Sequence, residues 1–217
     1  MVQAEYLPGL HNSRADWGSR YLTDSSDWML APEIFSELSR NWGPFAIDLF
    51  ASRLNTQLPR FFSWRPDPAA EAVDAFLQPW SGPLMYAFPP FAMIPRMMLH
   101  VRRQLAELVV VVPFWGTQAW FPSLLGLLID VPFLLPIRMD LLQDPRGLHH
   151  PLPSDGSLRL IACRISGRLE KSAIFRRQLD DFWTTHGLPA PENLIGQPGD
   201  LGLVGAWNET WIPFRPL

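Results

Sequence analysis

Apolar residues along this chain fall into short runs separated by polar, proline-rich or glycine-rich stretches. Residues 1–30 are polar and irregular, and the cluster Thr23-Asp24-Ser25-Ser26-Asp27 reads as a linker. From Pro32 to Trp42 apolar residues recur at helical spacing (Ile34, Phe35, Leu38, Trp42). Pro32 suits a helix start, and Gly43-Pro44 suits its end. Phe45–Ala51 is a short apolar run carrying one acid, Asp48, and predicts a buried strand. Residues 52–82 are rich in Pro, Trp and Arg and predict loops. Pro83–Phe88 predicts a second strand, stopped by Pro89-Pro90, which cannot continue a ladder.

A helix is expected from Ala92 to Leu105, with Met93, Met97, Met98 and Val101 on one side. Leu108–Val112 is a continuous β-branched run, the pattern of a parallel strand covered on both faces. Gln118–Ile129 predicts an apolar helix, Phe133–Leu135 a short strand, and residues 136–156 a loop. Ser157–Ser166 alternates Leu158, Leu160, Ala162 and Ile165, which suits a strand near a sheet edge. Lys171–His186 predicts a helix, and from Gly187 the chain is rich in Gly and Pro and expected to be only partly ordered. Strands alternating with helices predict an α/β fold: a Rossmann-like, mostly parallel open sheet flanked by helices. Ligands of such sheets sit beyond the carboxyl ends of the strands. Asp48–Ser52, Phe88–Phe91 and Trp115–Gln118 stand at those ends.

Composition narrows the class. The chain has 217 residues, 47% of them hydrophobic and 18% charged, which excludes a solvated disordered chain and suffices for one sizeable domain. Net charge is −3, so any nucleic-acid contact has to come from a local patch. Cys163 is the only cysteine, so no internal disulfide forms, as in a reducing compartment. The first residues carry no apolar secretory run, and the apolar stretch Glu107–Phe114 is far shorter than a membrane span. A soluble, intracellular protein without membrane contact is expected.

The segment Phe88-Pro89-Pro90-Phe91 carries candidate chemistry. Exocyclic adenine amines are poor nucleophiles because the lone pair is delocalised into the ring. A side-chain oxygen and a proline carbonyl can accept the two amine hydrogens, while an aromatic ring stacks on the flipped-out base. Here Phe88 occupies the polar position and accepts no hydrogen bond. Loss of one preorganised polar contact in a closed site costs on the order of 10²–10³ in rate. By itself Pro-Pro is equally a strand terminator. Asp48 likewise has two readings, a cofactor neighbour or a buried acid with a structural partner. His149-His150 reads as a loop pair: adjacent histidines rarely share one ion, and no Cys or His stands at ligand spacing. The pairs Arg102-Arg103 and Arg176-Arg177 read as phosphate contacts or as solvated helix faces.

Taken in order, Leu30-Ala-Pro-Glu-Ile-Phe35, Trp42-Gly-Pro-Phe45, Asp48-Leu-Phe-Ala-Ser52, Asn55, Phe61-Phe62, Trp80 and Phe88–Phe91 resemble phage-type DNA N6-adenine methyltransferase (Dam-like) domains. The resemblance covers about Leu30 to Gly167. It implies that Asp48 and Ala51 lie near S-adenosylmethionine, with Ser52 as a further candidate beside them, and that Phe88, Pro89, Pro90 and Phe91 form the degenerate catalytic motif; Arg53, Arg102 and Arg103 are candidate nucleic-acid contacts. No Gly-x-Gly follows the first strand; Ala51-Ser52-Arg53 stands there.

A second set is similar to the region after ribonuclease H in DIRS-type, tyrosine-recombinase retrotransposon polyproteins. It comprises Ser25-Ser-Asp-Trp28, Asp48–Asn55, Phe61–Pro68, Tyr86–Phe91, Pro122–Leu125, Leu141–Asp144, His150–Leu152 and Ile165–Gly167. In that family the Pro-Pro motif commonly begins with Phe. Leu7–Arg20 resembles the last ribonuclease H helix, with Asp16 at the place of the final acid of a two-metal cluster. The other acids would lie upstream, so no metal is expected in this fragment.

The resemblance thus implies a ribonuclease H remnant and linker at 1–29, a degenerate Dam-like domain at 30–187 and a tail at 188–217. Reverse transcriptase and ribonuclease H segments would be its upstream partners, with DNA or RNA–DNA intermediates as possible ligands. Two functions follow as expectations: a methyltransferase-like module with methylation weak or lost, or a non-catalytic structural or nucleic-acid-guiding module of the reverse-transcription machinery.

Overall fold

The computed structural model describes residues 28–217 except 146–147, 151–157, 186–203 and 208–209. In chain order the elements are β1 (Met29–Leu30), α1 (Pro32–Trp42), β2 (Asp48–Ala51), β3 (Phe61–Ser63), β4 (Ala72–Val73), β5 (Met85–Ala87) and α2 (Ile94–Gln104). There follow β6 (Glu107–Pro113), α3 (Phe121–Leu125), β7 (Phe133–Leu134), β8 (Leu142–Gln143), β9 (Leu160–Ser166), α4 (Leu169–Thr185), β10 (Val204–Trp207), β11 (Thr210–Pro213) and β12 (Arg215–Pro216).

Eight strands form one sheet in the order β12-β7-β9-β6-β5-β2-β3-β4. All neighbours are parallel except β9, which runs antiparallel to both β6 and β7. The chain lays down β2, β3 and β4 toward one edge, then crosses back to place β5 on the other side of β2. The strand order therefore reverses between β2 and β5, which is where an open α/β sheet forms its ligand crevice.

Helices cover both faces. On one face α1 buries Ile34, Phe35, Leu38 and Trp42 with Tyr86, Val109, Val111 and Ala162. Pro32 starts this helix, and the Gly43 N–H closes it on the Ser39 carbonyl at 2.8 Å. On the other face α2 sets Ile94, Met97, Met98 and Val101 against Leu108, Val110 and Val112. This i, i+3, i+4, i+7 stripe is what helix geometry requires of a core-facing side. Helix α2 ends at Leu105, whose left-handed φ of 52° turns the chain into β6. Residues Leu108 to Val112 are all fully buried, as their β-branched run predicts. Burial of each contributes roughly 1.5–3 kcal/mol relative to exposure.

Differences from the sequence expectation have local causes. Residues 52–82 hold two parallel strands, β3 and β4, of three and two residues. The helix expected at 118–129 is only Phe121–Leu125, because the chain turns to serve β9. The Leu127 carbonyl accepts from Ser166 N–H, and Ile129 N–H donates to the Arg164 carbonyl. Strand β9 lies inside the sheet, not near its edge: seven residues of β6 pair with it on one side and β7 on the other. Its alternation reflects two different apolar faces, with Leu160 and Ala162 in one core and Ile161, Cys163 and Ile165 in the other. The core also continues beyond residue 187. Ile212 and Phe214 are 2% exposed, Phe214 meets Phe114 edge-on at 5.2 Å, and β12 extends the sheet beside β7. Among the described residues no helix is long and apolar enough to cross a membrane.

Candidate functional site at the switch point of the sheet

Asp48 opens β2 and is 3% exposed. Its carboxylate accepts from Gln57 N–H at 3.2 Å and Phe50 N–H at 3.4 Å. Burial outweighs these two bonds and pushes its carboxyl up to about 7. The neighbour in register on β5 is Tyr86, 1% exposed. Its ring lies between Phe35 (4.9 Å, edge-on) and Phe45 (5.7 Å, stacked). The Tyr86 hydroxyl is buried without a hydrogen-bond partner, and burial together with the Asp48 charge raises its pKa well above the ordinary value.

Asp48 and Tyr86 line the crevice between β2 and β5, with Phe50, Asn55, Gln57 and Phe88 beside them. Trp28, Met29 and Leu30 close it. Gln57 Nε2 donates to the Leu30 carbonyl at 2.5 Å and Asn55 Nδ2 to the Trp28 carbonyl at 3.4 Å. The crevice is left with about 10 Å³. Small-molecule sites run to roughly 300–1,000 Å³, so in this conformation it admits no nucleoside.

The turn after β2 is closed by its own side chains. Asn55 Oδ1 accepts from Ser52 N–H at 2.7 Å and from Ser52 Oγ at 3.1 Å, and Ser52 Oγ accepts from Leu54 N–H at 3.2 Å. Two of the N–H groups that a phosphate- or carboxylate-binding turn would present are thus held by the turn's own side chains. Ala51 is buried at the strand end and Ser52 half-buried. Arg53 projects into solvent, with Asp67 at 4.0 Å.

No protein-family model matches the sequence, and no curated protein matches it.

The Pro-Pro segment stands at the end of β5, on the same rim. Pro89 is buried, while Phe88, Pro90 and Phe91 are half-buried. Phe88 packs into the α1-side core, and its ring lies 6.4 Å from that of Phe91. Phe91 in turn meets Trp115, at the end of β6, edge-on at 5.3 Å. The Pro90 carbonyl already accepts from Met93 N–H at 2.8 Å, closing the first turn before α2.

The structure brings Asp48, Ala51, Ser52, Arg53 and Phe88–Phe91 to one rim. It does not bring Arg102 and Arg103 there. Both are exposed in the last turn of α2, which leads away from the rim; at 1.5 Å per residue they sit roughly 12 Å along the axis from its start. Asp16 lies outside the described residues. Among the described residues no group of three or more His, Cys, Asp or Glu could hold a metal ion. The histidine pair also divides: His150 is buried against Trp28 at 4.6 Å, and burial pushes its pKa down to about 4, whereas His149 is exposed.

Tyr86 and Gln57 escaped the sequence reading. Tyr86 is a single polar atom in an apolar strand, a signal of the same kind as Asp48. Gln57 sits in a loop and has no such signal. A larger cavity of about 330 Å³ opens at the other end of the sheet, where Ile47, Phe62 and Met85 form its floor and the Arg60–Glu71 ion pair its rim. It lies at the amino ends of the strands, away from the Pro-Pro motif.

Proposed function

We propose that this chain is a degenerate DNA N6-adenine methyltransferase-like module of a retrotransposon reverse transcriptase/ribonuclease H polyprotein, in which methyl transfer is lost. The observation that carries the reading is the shut crevice between β2 and β5, at the place where the fold would seat S-adenosylmethionine. The sheet order supports the fold assignment. Strands β4-β3-β2-β5-β6 repeat the doubly wound order, with the antiparallel β9 inserted between β6 and β7.

The residues present do not fit the cofactor. The crevice holds about 10 Å³, the turn at Ser52 is closed by Asn55, and Phe88 offers no acceptor to an amine. No step of methyl transfer is therefore assigned to these residues. The same closure favours the second reading, a structural or nucleic-acid-guiding module that keeps the fold without its chemistry.

Thermal unfolding with S-adenosylmethionine tests the proposal. A ligand at 100 times its dissociation constant stabilises by about 2.7 kcal/mol. The expected result is no shift at millimolar cofactor and no label transferred to DNA. Transfer of labelled methyl to adenine by the unaltered chain would refute it.

A further inference from the structure

The cavity at the amino ends of the strands has a volume of about 330 Å³. Small-molecule sites run to roughly 300–1,000 Å³. Its floor is Ile47, Phe62 and Met85, all apolar and buried. Its rim sets opposite charges side by side: Arg60, just before β3, and Glu71, just before β4. None of these residues lines the crevice between β2 and β5.

The ion pair leaves recognition groups free. Arg60 Nε donates to Glu71 Oε2 at 2.7 Å, and Nη2 donates to Oε1 at 2.8 Å. A guanidinium carries its N–H donors in a planar fork with two usable edges. Glu71 takes one edge; the edge that includes Nη1 can hold a second carboxylate. Each Glu71 oxygen keeps a lone pair that an ammonium can use. The mutual hydrogen bonds raise the pKa of Arg60 and lower that of Glu71, so both are charged at neutral pH.

The facing wall is preformed. Gln78 Nε2 donates to the Val73 carbonyl at 3.0 Å, which ties the 78–83 segment to β4. Trp80, at zero exposure, anchors the same segment by donating its indole N–H to the Ala75 carbonyl at 2.7 Å. Pro79 and Pro83 fix φ on that side. A site that needs no rearrangement avoids the ordering cost that weakens small ligands.

An apolar pit below a paired cation and anion complements an apolar body that carries a carboxylate and an ammonium on one carbon. A purely apolar ligand would leave the rim unused, and a polyanion would meet Glu71. We propose that this cavity binds a free amino acid with a large apolar side chain, its carboxylate on Arg60, its ammonium on Glu71 and its side chain on Ile47, Phe62 and Met85. The proposal is independent of the functional reading above.

The test uses the full chain and titration calorimetry, with L-phenylalanine, L-leucine, L-methionine and L-tryptophan as probes. At least one should bind with a Kd on the order of 0.1–1 mM, given the efficiency of small ligands. L-alanine, which lacks the apolar body, should bind at least about tenfold more weakly. For the best probe, the N-acetyl derivative and the amide each lack one charge and should bind about three- to tenfold more weakly. Arg60→Gln and Glu71→Gln alter exposed side chains and should each weaken the free amino acid by a similar factor. The amide should lose little further affinity in Arg60→Gln, because both changes remove the same contact. Ala72→Phe, which fills the cavity from β4, should abolish binding. Circular dichroism and cooperative urea unfolding establish that each variant is folded.

No binding by any probe up to about 10 mM overturns the proposal. Equal binding by the free amino acid and its doubly capped, uncharged derivative overturns it too. So does undiminished binding by folded Ala72→Phe, which would place the ligand elsewhere. Should Ala72→Phe not fold, the two exposed variants decide: unchanged affinity in both overturns the site.

Discussion

Asp48 gives the sharpest test of how this crevice is built. The side chain is buried, its two hydrogen bonds come from neutral backbone N–H groups, and its pKa is raised from 3.8 to about 7. The folded chain therefore holds a proton that the unfolded chain has released over the interval between those values. Stability falls with pH wherever the folded state binds more protons. Below pH 3.8 both states are protonated and the acid has no effect. Above pH 7 both are ionised, and the full cost is about 4 kcal/mol at 1.36 kcal/mol per pKa unit.

The same relation places the destabilisation at roughly 2 kcal/mol at pH 5 and close to the full cost, about 4 kcal/mol, at pH 8. Asn at this position keeps one oxygen for the Gln57 or Phe50 N–H and does not titrate. Urea unfolding of the wild type and Asp48→Asn, run at half-unit steps from pH 5 to pH 8, isolates the acid because every other group cancels in the difference. The stability of the wild type minus that of the variant should fall by roughly 2–3 kcal/mol across this range. A difference that stays constant, or one that rises with pH, would show that Asp48 is ionised throughout and that its site is polar or wet.

Other substitutions test other parts of the molecule. Tyr86→Phe removes the unpartnered hydroxyl without a cavity and should be neutral or stabilising by up to about 1 kcal/mol in urea unfolding. Phe214→Ala should cost about 3–5 kcal/mol, and a cost under 0.5 kcal/mol would show that the C-terminal strand lies outside the core. Gly167→Ala would set a Cβ 2.1 Å from the Val101 carbonyl oxygen, so it should lower stability by about 1–3 kcal/mol; an unchanged melting temperature would refute that contact. The Glu107 carboxyl loses some stabilisation of its charge to burial, but Lys171 and Arg164 hold its pKa below the ordinary 4.5. Its contribution is present above pH 4.5 and lost as the pH falls through the lowered value. Glu107→Gln should therefore cost about 1–2 kcal/mol at pH 7 and progressively less in acid, as followed by unfolding at pH 3–7.

The frame of the sheet was legible because β6 and α2 bury continuous or periodic apolar residues, and the burial of Leu108–Val112 and of Met97, Met98 and Val101 follows that pattern. Strands β3 and β4 were not, because parallel ladders of two or three residues leave no periodicity among the Pro, Trp and Arg around them. The Gln118–Ile129 pattern misled for another reason. Leu124, Leu125, Leu127 and Leu128 are all buried, but the last two belong to a turn and a β-bridge that serve β9, and a fully apolar run does not distinguish helix from other buried backbone. At the site, Asp48 and Phe88–Phe91 stood out as an acid in an apolar run and a proline stop. Closure by Trp28–Leu30 could not be read, because it depends on residues 27 apart meeting through Gln57 and Leu30.

On the proposed reading, the departures from an active methyltransferase site share one direction. Phe88 would stand where an acceptor faces the substrate amine, and it adds apolar surface to the α1-side core. Asn55 takes the Ser52 N–H and hydroxyl and fixes the turn with them. Leu30 fills the end of the crevice at zero exposure. Each exchange gives up a group poised for a ligand and gains local stability, the trade expected once activity no longer constrains a site. Asp48 and Tyr86 run the other way: both remain polar in a core where Asn, Leu or Phe would be more stable. On the reading proposed here, that residual cost is the mark of a site that has been covered. If Asp48→Asn and Tyr86→Phe together raise stability at pH 8, in urea unfolding, the two polar groups are not kept for the fold; a loss of stability would show that the fold itself needs them.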